Sequence, residues 1–487
     1  MITSNSLSSR TEKGIAVLFV MAVLVASSIF TFRLGTNFNS STVAEVIAVV
    51  FVGIAVTSPQ ISIILTFCYL AVLGDIRRWF QVQYGPVDFD LLLLVGPLAA
   101  IMLVIKPFFW GRLDFSTKLS KWVLLLMAIM GLQVLNILYV PIQVNLIGIM
   151  FYGIPLTWFW IGKEYGTKAF TERLLFVVVF AVAIAACGFG LTQSFIGFPD
   201  YQMEWIRQNA MRGIVLNNVT SAGSRPFSFF TSNQEYGTYL AIMIILGLTG
   251  FLYKNNRWLL LFLPAAGIAL ILTSIRGSVV AVVFSSAITW VVLARGSVTS
   301  IGRIIIFALV IGSGLYFALS WAGNADLGEN INPLVQHQTQ GLLNPLDNQK
   351  STASDHTFMM VGGIIQSFTS PAGKGLGSTT LAGTKFGIDT SGTESDIGNL
   401  FISLSPIGGI VYCILIFLVL KQAGIFVRRT RTAVATAMFA ILVGTCGQWM
   451  NGAMYSIAPI VWFSIGALDK QYNEYEQSLL MTPGRML

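Results

Sequence analysis

The stretch Leu174–Phe195 reads LLFVVVFAVAIAACGFGLTQSF and contains no charged residue. The hydrocarbon core of a bilayer is about 30 Å thick, and a helix needs roughly 20 apolar residues to cross it. A run of this length and polarity predicts a transmembrane helix. The fold is therefore expected to be that of a membrane protein built from helices.

The rest of the chain has the same character. Of its 487 residues, 55% are hydrophobic and only 10% are charged, and the mean hydropathy is +0.75. A soluble domain carries about 25% charged residues, because these cover its surface. The composition therefore excludes a soluble multi-domain enzyme.

Apolar runs long enough to be spans recur along the whole chain and predict an all-α integral membrane protein, a polytopic bundle of about 12 to 14 helices in one domain, 1–487. The runs lie at 14–32, 43–57, 61–74, 91–105, 122–140, 142–161, 174–195, 236–252, 258–274, 277–293, 303–321, 400–420, 433–450 and 453–468. The second and third are short, so a re-entrant hairpin is an alternative for this pair. The first is followed by Arg33 rather than by a small-residue cleavage site, which predicts a retained span.

The distribution of charge predicts the orientation. With the N-terminus in the cytoplasm, 19 of the 29 Lys and Arg lie inside, whereas the acids divide into 7 inside and 14 outside. The positive-inside rule then places both termini in the cytoplasm. Two long segments fall outside, 196–235 and 322–399. Within the second, Thr357–Phe368 has helical spacing and predicts a short helix lying against the membrane face.

Several classes of site are not expected. The net charge is +8, but no basic run with interleaved aromatic residues points to nucleic acid. All four cysteines lie in apolar stretches, and there are two histidines and no Cys-x-x-Cys pair, so neither a metal site nor a bound cofactor is predicted.

Arginines in the outside segments are the first candidates for function. Arg276 lies in a polar break between two apolar runs, and Arg225 lies just before the run at 236–252. Arginine suits phosphate because its planar guanidinium makes paired hydrogen bonds with phosphate oxygens. Arg207 and Arg212 belong to the same outside segment as Arg225. The alternative for all four is that they contact lipid headgroups or pair with acids.

Acids and a histidine on the same side are candidates for a general base. Glu394 and Asp396 precede the run at 400–420, where they either cap a helix or accept a proton from a hydroxyl group. Glu235 has the same two interpretations. His356, beside Asp355, is either a proton acceptor or a solvated loop residue.

Two motifs imitate known sites. Asp88 and Asp90 have the spacing of a metal–nucleotide-sugar site, but the predicted side of the membrane holds no nucleotide sugars, which leaves a minor role as a base. Gly373–Ser378 is rich in glycine and contains Lys374. It lacks the spacing of a phosphate-binding loop, so its glycines are expected to make tight turns.

Three stretches together resemble the superfamily of O-antigen polymerases and O-antigen ligases. The first is Gly223–Asn233, which runs into Gly237 and the following span. The second is Thr273–Gly277, similar to the family's Ser-Arg-Gly helix break. The third is the long outside segment with Ser370–Gly377, followed by a polar cluster and the glycine pair 408–409. The similarity covers roughly residues 210–420.

The resemblance implies a glycosyltransferase of the bacterial plasma membrane, without a metal or cofactor, whose donor and acceptor are glycans carried on undecaprenyl pyrophosphate. It places Arg225 and Arg276 as the pair that neutralises the pyrophosphate leaving group. The ligases of this family carry a catalytic histidine where this chain has Glu394, Ser395 and Asp396. That difference favours a polymerase of surface polysaccharide (O-antigen, capsule or exopolysaccharide) and leaves the base unassigned.

Other partners and other functions are part of the same expectation. Further substrate contacts are predicted for Arg207, Arg212, Asn233, Glu235 and Lys374. Membrane lipids, a chain-length regulator and other export proteins are the expected partners. The competing functions are a flippase or transporter of lipid-linked oligosaccharides and an O-antigen-type ligase. A transporter would be expected to have two related halves, which the sequence lacks.

Overall fold

The computed structural model describes most of the chain as helix. The described residues are 40–85, 90–211, 219–220, 223–253, 257–294, 331–344, 347, 353–380, 383–386, 392–393, 395–450 and 454–481. The predicted spans at 14–32 and 303–321 lie outside these ranges. Within them, the only strand pairing is a two-residue antiparallel bridge between β1 (Val219–Thr220) and β2 (Gly223–Ser224).

Fifteen helical stretches make up the described part of the chain. They are α1 (Ser40–Thr57), α2 (Pro59–Tyr84), α3 (Leu92–Phe109), α4 (Lys118–Val134), α5 (Ile142–Tyr165), α6 (Lys168–Phe195), α7 (Asp200–Met211), α8 (Asn233–Leu252), α9 (Trp258–Leu272), α10 (Arg276–Leu293), α11 (Asn332–Leu343), α12 (Ala353–Thr369), α13 (Asp396–Thr430), α14 (Ala433–Gly444) and α15 (Ile457–Leu480). A 3₁₀ turn, Gly383–Phe386, lies between α12 and α13.

Eight of these helices are long and apolar enough to cross a bilayer, which identifies a multi-pass helical membrane protein. Counted over the described ranges, they are α1, α2, α3, α5, α6, α8, α10 and α13. Helices α9 and α14 are apolar but shorter. The class predicted from composition is thus confirmed, whereas the larger number of spans and the sidedness remain expectations.

Several predicted boundaries were wrong. The pair at 43–57 and 61–74 forms two full helices joined at Ser58, and α2 continues to Tyr84, so no short hairpin forms there. The run at 122–140 ends as helix at Val134, because Gln133 and Asn136 turn their amides to the backbone carbonyls of Ala372 and Gly373. The run at 433–450 ends as helix at Gly444.

Four helices contain local irregularities, and α9 starts within a 3₁₀ segment, Arg257–Phe262. Helix α5 has a π-helical segment at Ile149–Gly153, and α6 has one at Leu174–Val179. Helix α13 bends at Ser405, whose φ of 78° and ψ of 168° are non-helical. The residue before a proline is disfavoured in the helical region, and Pro406 follows directly.

Glycines allow α5 and α15 to pack closely. A Cβ atom at Gly162 would overlap the carbonyl oxygen of Phe463, and one at Gly466 would overlap the carbonyl oxygen of Phe159. Small residues at such crossings let two backbones approach, which is how helices associate where no hydrophobic effect drives them together. The backbones of α5 and α15 are therefore in direct contact at this crossing.

The segment 322–399 contains ordered structure. The helix predicted at Thr357–Phe368 is present as α12, which packs against α13 and exposes Phe358, Ile365 and Phe368. After it, Gly373 and Gly375 adopt φ of 80° and 98°. The prediction that these glycines make tight turns is confirmed.

Candidate functional site

A break between α9 and α10 sets the position of Arg276. Ser274 adopts a φ of 56°, and its Oγ donates to the carbonyl oxygen of Leu334 in α11 at 3.0 Å. The Oγ1 of Thr273 accepts from the N–H of Ile275 at 3.2 Å. The polar residues of the break therefore satisfy its own backbone and attach it to α11, and α10 begins with Arg276.

Arg225 begins a segment that is fixed from several sides. The side-chain oxygen of Gln193 accepts from the N–H groups of Phe227 and Ser228 at 3.1 and 2.7 Å. The guanidinium of Arg78 lies over the Phe227 ring at 4.0 Å and donates to the carbonyl oxygen of Thr231 at 2.8 Å. These contacts hold residues 227–231 in place, so the position of Arg225 is set by buried neighbours.

The two arginines meet at His337, a residue of α11. The Nη2 atoms of Arg225 and Arg276 lie 3.2 and 3.1 Å from His337 Nε2, and Arg276 Nη2 also donates to the His337 carbonyl oxygen at 3.0 Å. A guanidinium only donates, so Nε2 accepts from both, and the imidazole proton is on Nδ1. We call Arg225, Arg276 and His337 the arginine–histidine cluster.

His337 is held neutral in this cluster. Burial first, and then the charges of Arg276 and Arg225, lower the pKa of His337 to about 4. Burial and the charge of Arg276 also lower the pKa of Arg225 below its ordinary value. Two cations therefore share one neutral acceptor, and the cluster carries a net positive charge at neutral pH.

Two hydrogen-bond donors of the arginine–histidine cluster have no partner among the described residues. Among the described residues, neither Arg225 nor Arg276 pairs with a carboxylate, and the buried Nε atoms of both have no hydrogen-bond partner. A guanidinium pair with open donors and no counter-ion is suited to bind an anion with several oxygens, such as a phosphate group.

Gly341 fits the arginine–histidine cluster closely. It lies one turn after His337 in α11, and a Cβ atom there would overlap the guanidinium carbon of Arg276. The guanidinium therefore lies in the space that any other residue's side chain would fill. This contact fixes the arginine against the helix that also supplies the histidine.

The structure gives Glu235 a complete set of partners. Its carboxylate is fully buried and accepts from the N–H and Oγ of Ser456 at 2.7 and 2.6 Å and from the N–H and Oγ1 of Thr231 at 3.1 and 2.5 Å. These bonds connect the start of α8 to the turn before α15. The same turn of α8 contains Asn233, which is buried and whose Nδ2 has no partner.

Asp396 is also buried. Its Oδ2 accepts from the N–H of Met450 at 2.6 Å and from the hydroxyl of Tyr412 at 3.2 Å. The alternative that Asp396 caps its own helix is therefore wrong, because its carboxylate instead accepts a hydrogen bond from the turn after α14. Its neighbour Glu394 lies outside the described residues.

The other predicted site residues are dispersed. His356 is exposed on the first turn of α12, and Arg207 is exposed on α7, where it pairs with Glu204 at 3.0 Å. Lys374 is half-buried, and its N–H donates to the carbonyl oxygen of Ile402 at 3.0 Å. Arg212 lies outside the described residues. Among the residues that are described, no three His, Cys, Asp or Glu gather in a metal-binding group.

Of the two look-alike aspartates, only Asp90 is described. Its Oδ2 pairs with Nε of Arg77 at 2.5 Å, and its Oδ1 accepts from the N–H of Leu92 at 3.1 Å. Asp90 therefore connects the start of α3 to Arg77 of α2. Its partner in the motif, Asp88, lies outside the described residues.

His337 is the site residue that sequence reasoning missed. It lies in a polar stretch rich in Asn and Gln, with no carboxylate beside it, and its arginine partners are 61 and 112 positions away. The one local indication is Gly341, four residues later, since a helical glycine one turn from a histidine leaves room for a large side chain from another element.

Comparisons with models of protein families, with curated proteins and with solved structures find no match to this chain.

Proposed function

We propose that this protein is a membrane glycosyltransferase that polymerises oligosaccharide repeat units carried on undecaprenyl pyrophosphate. The product is a bacterial surface polysaccharide, made on the outer face of the plasma membrane. The observation that supports this function best is the arginine–histidine cluster, in which two guanidinium groups have unpaired donors and no carboxylate partner among the described residues.

The reaction joins two lipid-linked glycans. The anomeric carbon of the growing chain breaks its bond to the phosphate oxygen and forms a bond to a hydroxyl oxygen of the acceptor sugar. The electron pair of the broken bond leaves with undecaprenyl pyrophosphate, and a base takes the hydroxyl proton. Arg225 and Arg276 stabilise the charge that develops on the leaving group, a role in which fixed donors in a water-poor site are most effective.

The lipid-linked donor explains why the enzyme is a bundle of apolar helices. An undecaprenyl chain is soluble only in the bilayer, so the phosphate must reach the protein from its lipid-facing side. A polymerase is favoured over a ligase because the chain has Ser395 and Asp396 where the ligases that it resembles carry histidine.

The decisive experiment supplies purified protein in liposomes with undecaprenyl-pyrophosphate-linked repeat units and separates the products by size. A ladder of increasing length identifies a polymerase, and a single transfer product identifies a ligase. Lipid movement without a new glycosidic bond identifies a transporter and refutes the proposal.

Matched variants test the proposed phosphate contacts. We expect Arg276→Ala or Arg225→Ala to abolish the ladder, whereas Arg429→Ala, which removes an exposed arginine paired with Glu476, leaves it unchanged. A full ladder from Arg276→Ala would remove the assignment of the cluster to the leaving group.

The base is tested by a separate set of variants. Asp396→Asn, Glu394→Gln and His356→Ala are compared in the same assay, with His337→Gln as a fourth member. The base is the residue whose loss lowers kcat while the lipid-linked substrate still binds. If all four variants keep full activity, Asp88 and Asp90 are tested next.

A further inference from the structure

Gln338 is a buried amide without a partner. Its side chain is 0% exposed, and neither Nε2 nor Oε1 has a hydrogen bond to any residue of the described chain. Buried amides are almost always paired, because removing them from water without a hydrogen bond is unfavourable. An exception of this kind, next to a candidate site, needs a physical reason.

The helix places Gln338 on the side that faces the break between α9 and α10. Positions 334, 338 and 341 of α11 share one face, because they are four and three residues apart. At one end of that face, the carbonyl oxygen of Leu334 accepts from Ser274, and at the other, Gly341 lies under the Arg276 guanidinium. Gln338 is therefore between two contacts of the site.

The chemistry of Gln338 differs from that of its neighbours. Arg225 and Arg276 only donate hydrogen bonds, so they suit phosphate oxygens, whereas an amide both donates and accepts. The Gln338 amide therefore needs a ligand group that can itself both donate and accept hydrogen bonds. Sugar hydroxyl and acetamido groups have this property, and the sugar of a lipid-linked donor is bonded directly to the phosphate.

We propose that Gln338 recognises the first sugar of the donor, next to the phosphate held by Arg225 and Arg276. This inference rests on the proposed function and adds a specificity residue to it. In the absence of substrate the amide is unsatisfied, and the hydrogen bonds that it lacks are made only when the glycan is bound.

The test compares Gln338→Met, which keeps the length of the side chain without its polar atoms, with Gln336→Met on the exposed side of the same helix. Two ligands are titrated into the protein in detergent, undecaprenyl pyrophosphate alone and the same lipid bearing the repeat unit. We expect Gln338→Met to weaken binding of the glycosylated lipid about tenfold, the equivalent of one hydrogen bond, and to leave binding of the bare lipid unchanged.

A second measurement separates recognition from a structural role. If Gln338 serves the ligand, Gln338→Met melts at the same temperature as the wild type or higher in the absence of ligand, because an unsatisfied amide has been removed. Should Gln338→Met not fold, Gln338→Asn keeps the amide but shortens its reach, and it is expected to show the same selective loss.

Two outcomes would overturn the inference while leaving the proposed function intact. One is equal affinity of wild type and Gln338→Met for the glycosylated lipid. The other is an equal loss for both lipids together with a lower melting temperature, which would make Gln338 structural. A wild-type protein that binds neither lipid would refute the proposed function and the inference with it.

Discussion

The position of the Arg276 guanidinium depends on the absence of a side chain at Gly341. Because a Cβ at Gly341 would overlap its guanidinium carbon, we expect Gly341→Ala to displace Arg276 and to reduce polymer formation at least tenfold while the helix still forms. The assay is the size-resolved product ladder. Gly267→Ala is the matched control, since a Cβ there meets nothing within 4 Å, and full activity of Gly341→Ala would contradict the prediction.

His337 gives the folded protein a pH dependence with a definite sign. Its pKa is about 4 in the fold and about 6.5 in an unfolded chain. Between these values the unfolded chain binds more protons, so stability falls as the pH drops from about 6.5 to about 4. Melting temperatures in detergent across this range should fall less steeply for His337→Gln.

The second histidine provides the control for that titration. His356→Gln removes an exposed imidazole on α12 and is expected to reproduce the wild-type dependence. If His337→Gln also follows the wild-type curve, the acid sensitivity has another origin and the neutral state of His337 loses its support.

At the scale of the element, the bend in α13 stores strain in one residue. The φ and ψ of Ser405 fall in a region that is essentially restricted to glycine and costs about 1–3 kcal/mol for other residues. Ser405→Gly should therefore raise the free energy of unfolding by about 1 kcal/mol, measured in mixed micelles. Ser403→Gly, in a helical turn with an Oγ that bonds Thr379, should lower it instead.

Buried charges join α5 to α15. Lys163 Nζ lies 3.0 Å from Asp469 Oδ2 and 3.0 Å from Asp114 Oδ2, and the Asp469 side chain is only 2% exposed. Lys163→Met leaves that carboxylate buried without its cation, so we expect a loss of about 3–5 kcal/mol in the free energy of unfolding.

An exposed pair is the comparison for Lys163. Arg429 and Glu476 form an ion pair whose side chains are 44% and 37% exposed, and Arg429→Ala should cost at most about 1 kcal/mol. Similar losses in the two variants would mean that the buried cluster contributes no more than a surface pair.

Local patterns predicted the elements better than the contacts between them. The uncharged stretch at 174–195 is helical because a helix pairs its backbone N–H and C=O groups internally, and lipid offers them no other hydrogen-bond partner. The predicted helix ends were wrong where a residue distant in sequence makes a contact. An example is Val134, after which the helix stops because Gln133 and Asn136 bind the loop of Ala372. Arg225 and Arg276 were predicted because cations beside apolar runs are conspicuous. His337 was missed because both of its arginine partners are remote in sequence.

Taken as a whole, the molecule has an orientation that labelling can measure. In a background without Cys68, Cys187, Cys413 and Cys446, we expect Arg207→Cys to react with an impermeant maleimide on intact cells. Arg429→Cys should react only after permeabilisation, because the cation excess around it predicts the cytoplasmic side. Both positions are exposed in the fold, so burial does not confound the comparison.

The reverse labelling pattern would have a direct consequence. It would place α7 and the segment that carries Arg225 on the side where nucleotide sugars are made. The orientation expected from the charge bias would then be wrong, and the proposed polymerisation on the outer face would fail with it.

The order of Arg225, Arg276 and His337 along the chain determines when the arginine–histidine cluster can form during synthesis. Arg225, Arg276 and His337 leave the ribosome in that order, and the acceptor shared by the two guanidiniums comes last, 61 residues after Arg276. A nascent chain that stops short of α11 has two cations without the imidazole between them and without Gly341 to fix one of them. The three side chains can therefore meet only late in synthesis, after α11 has been made.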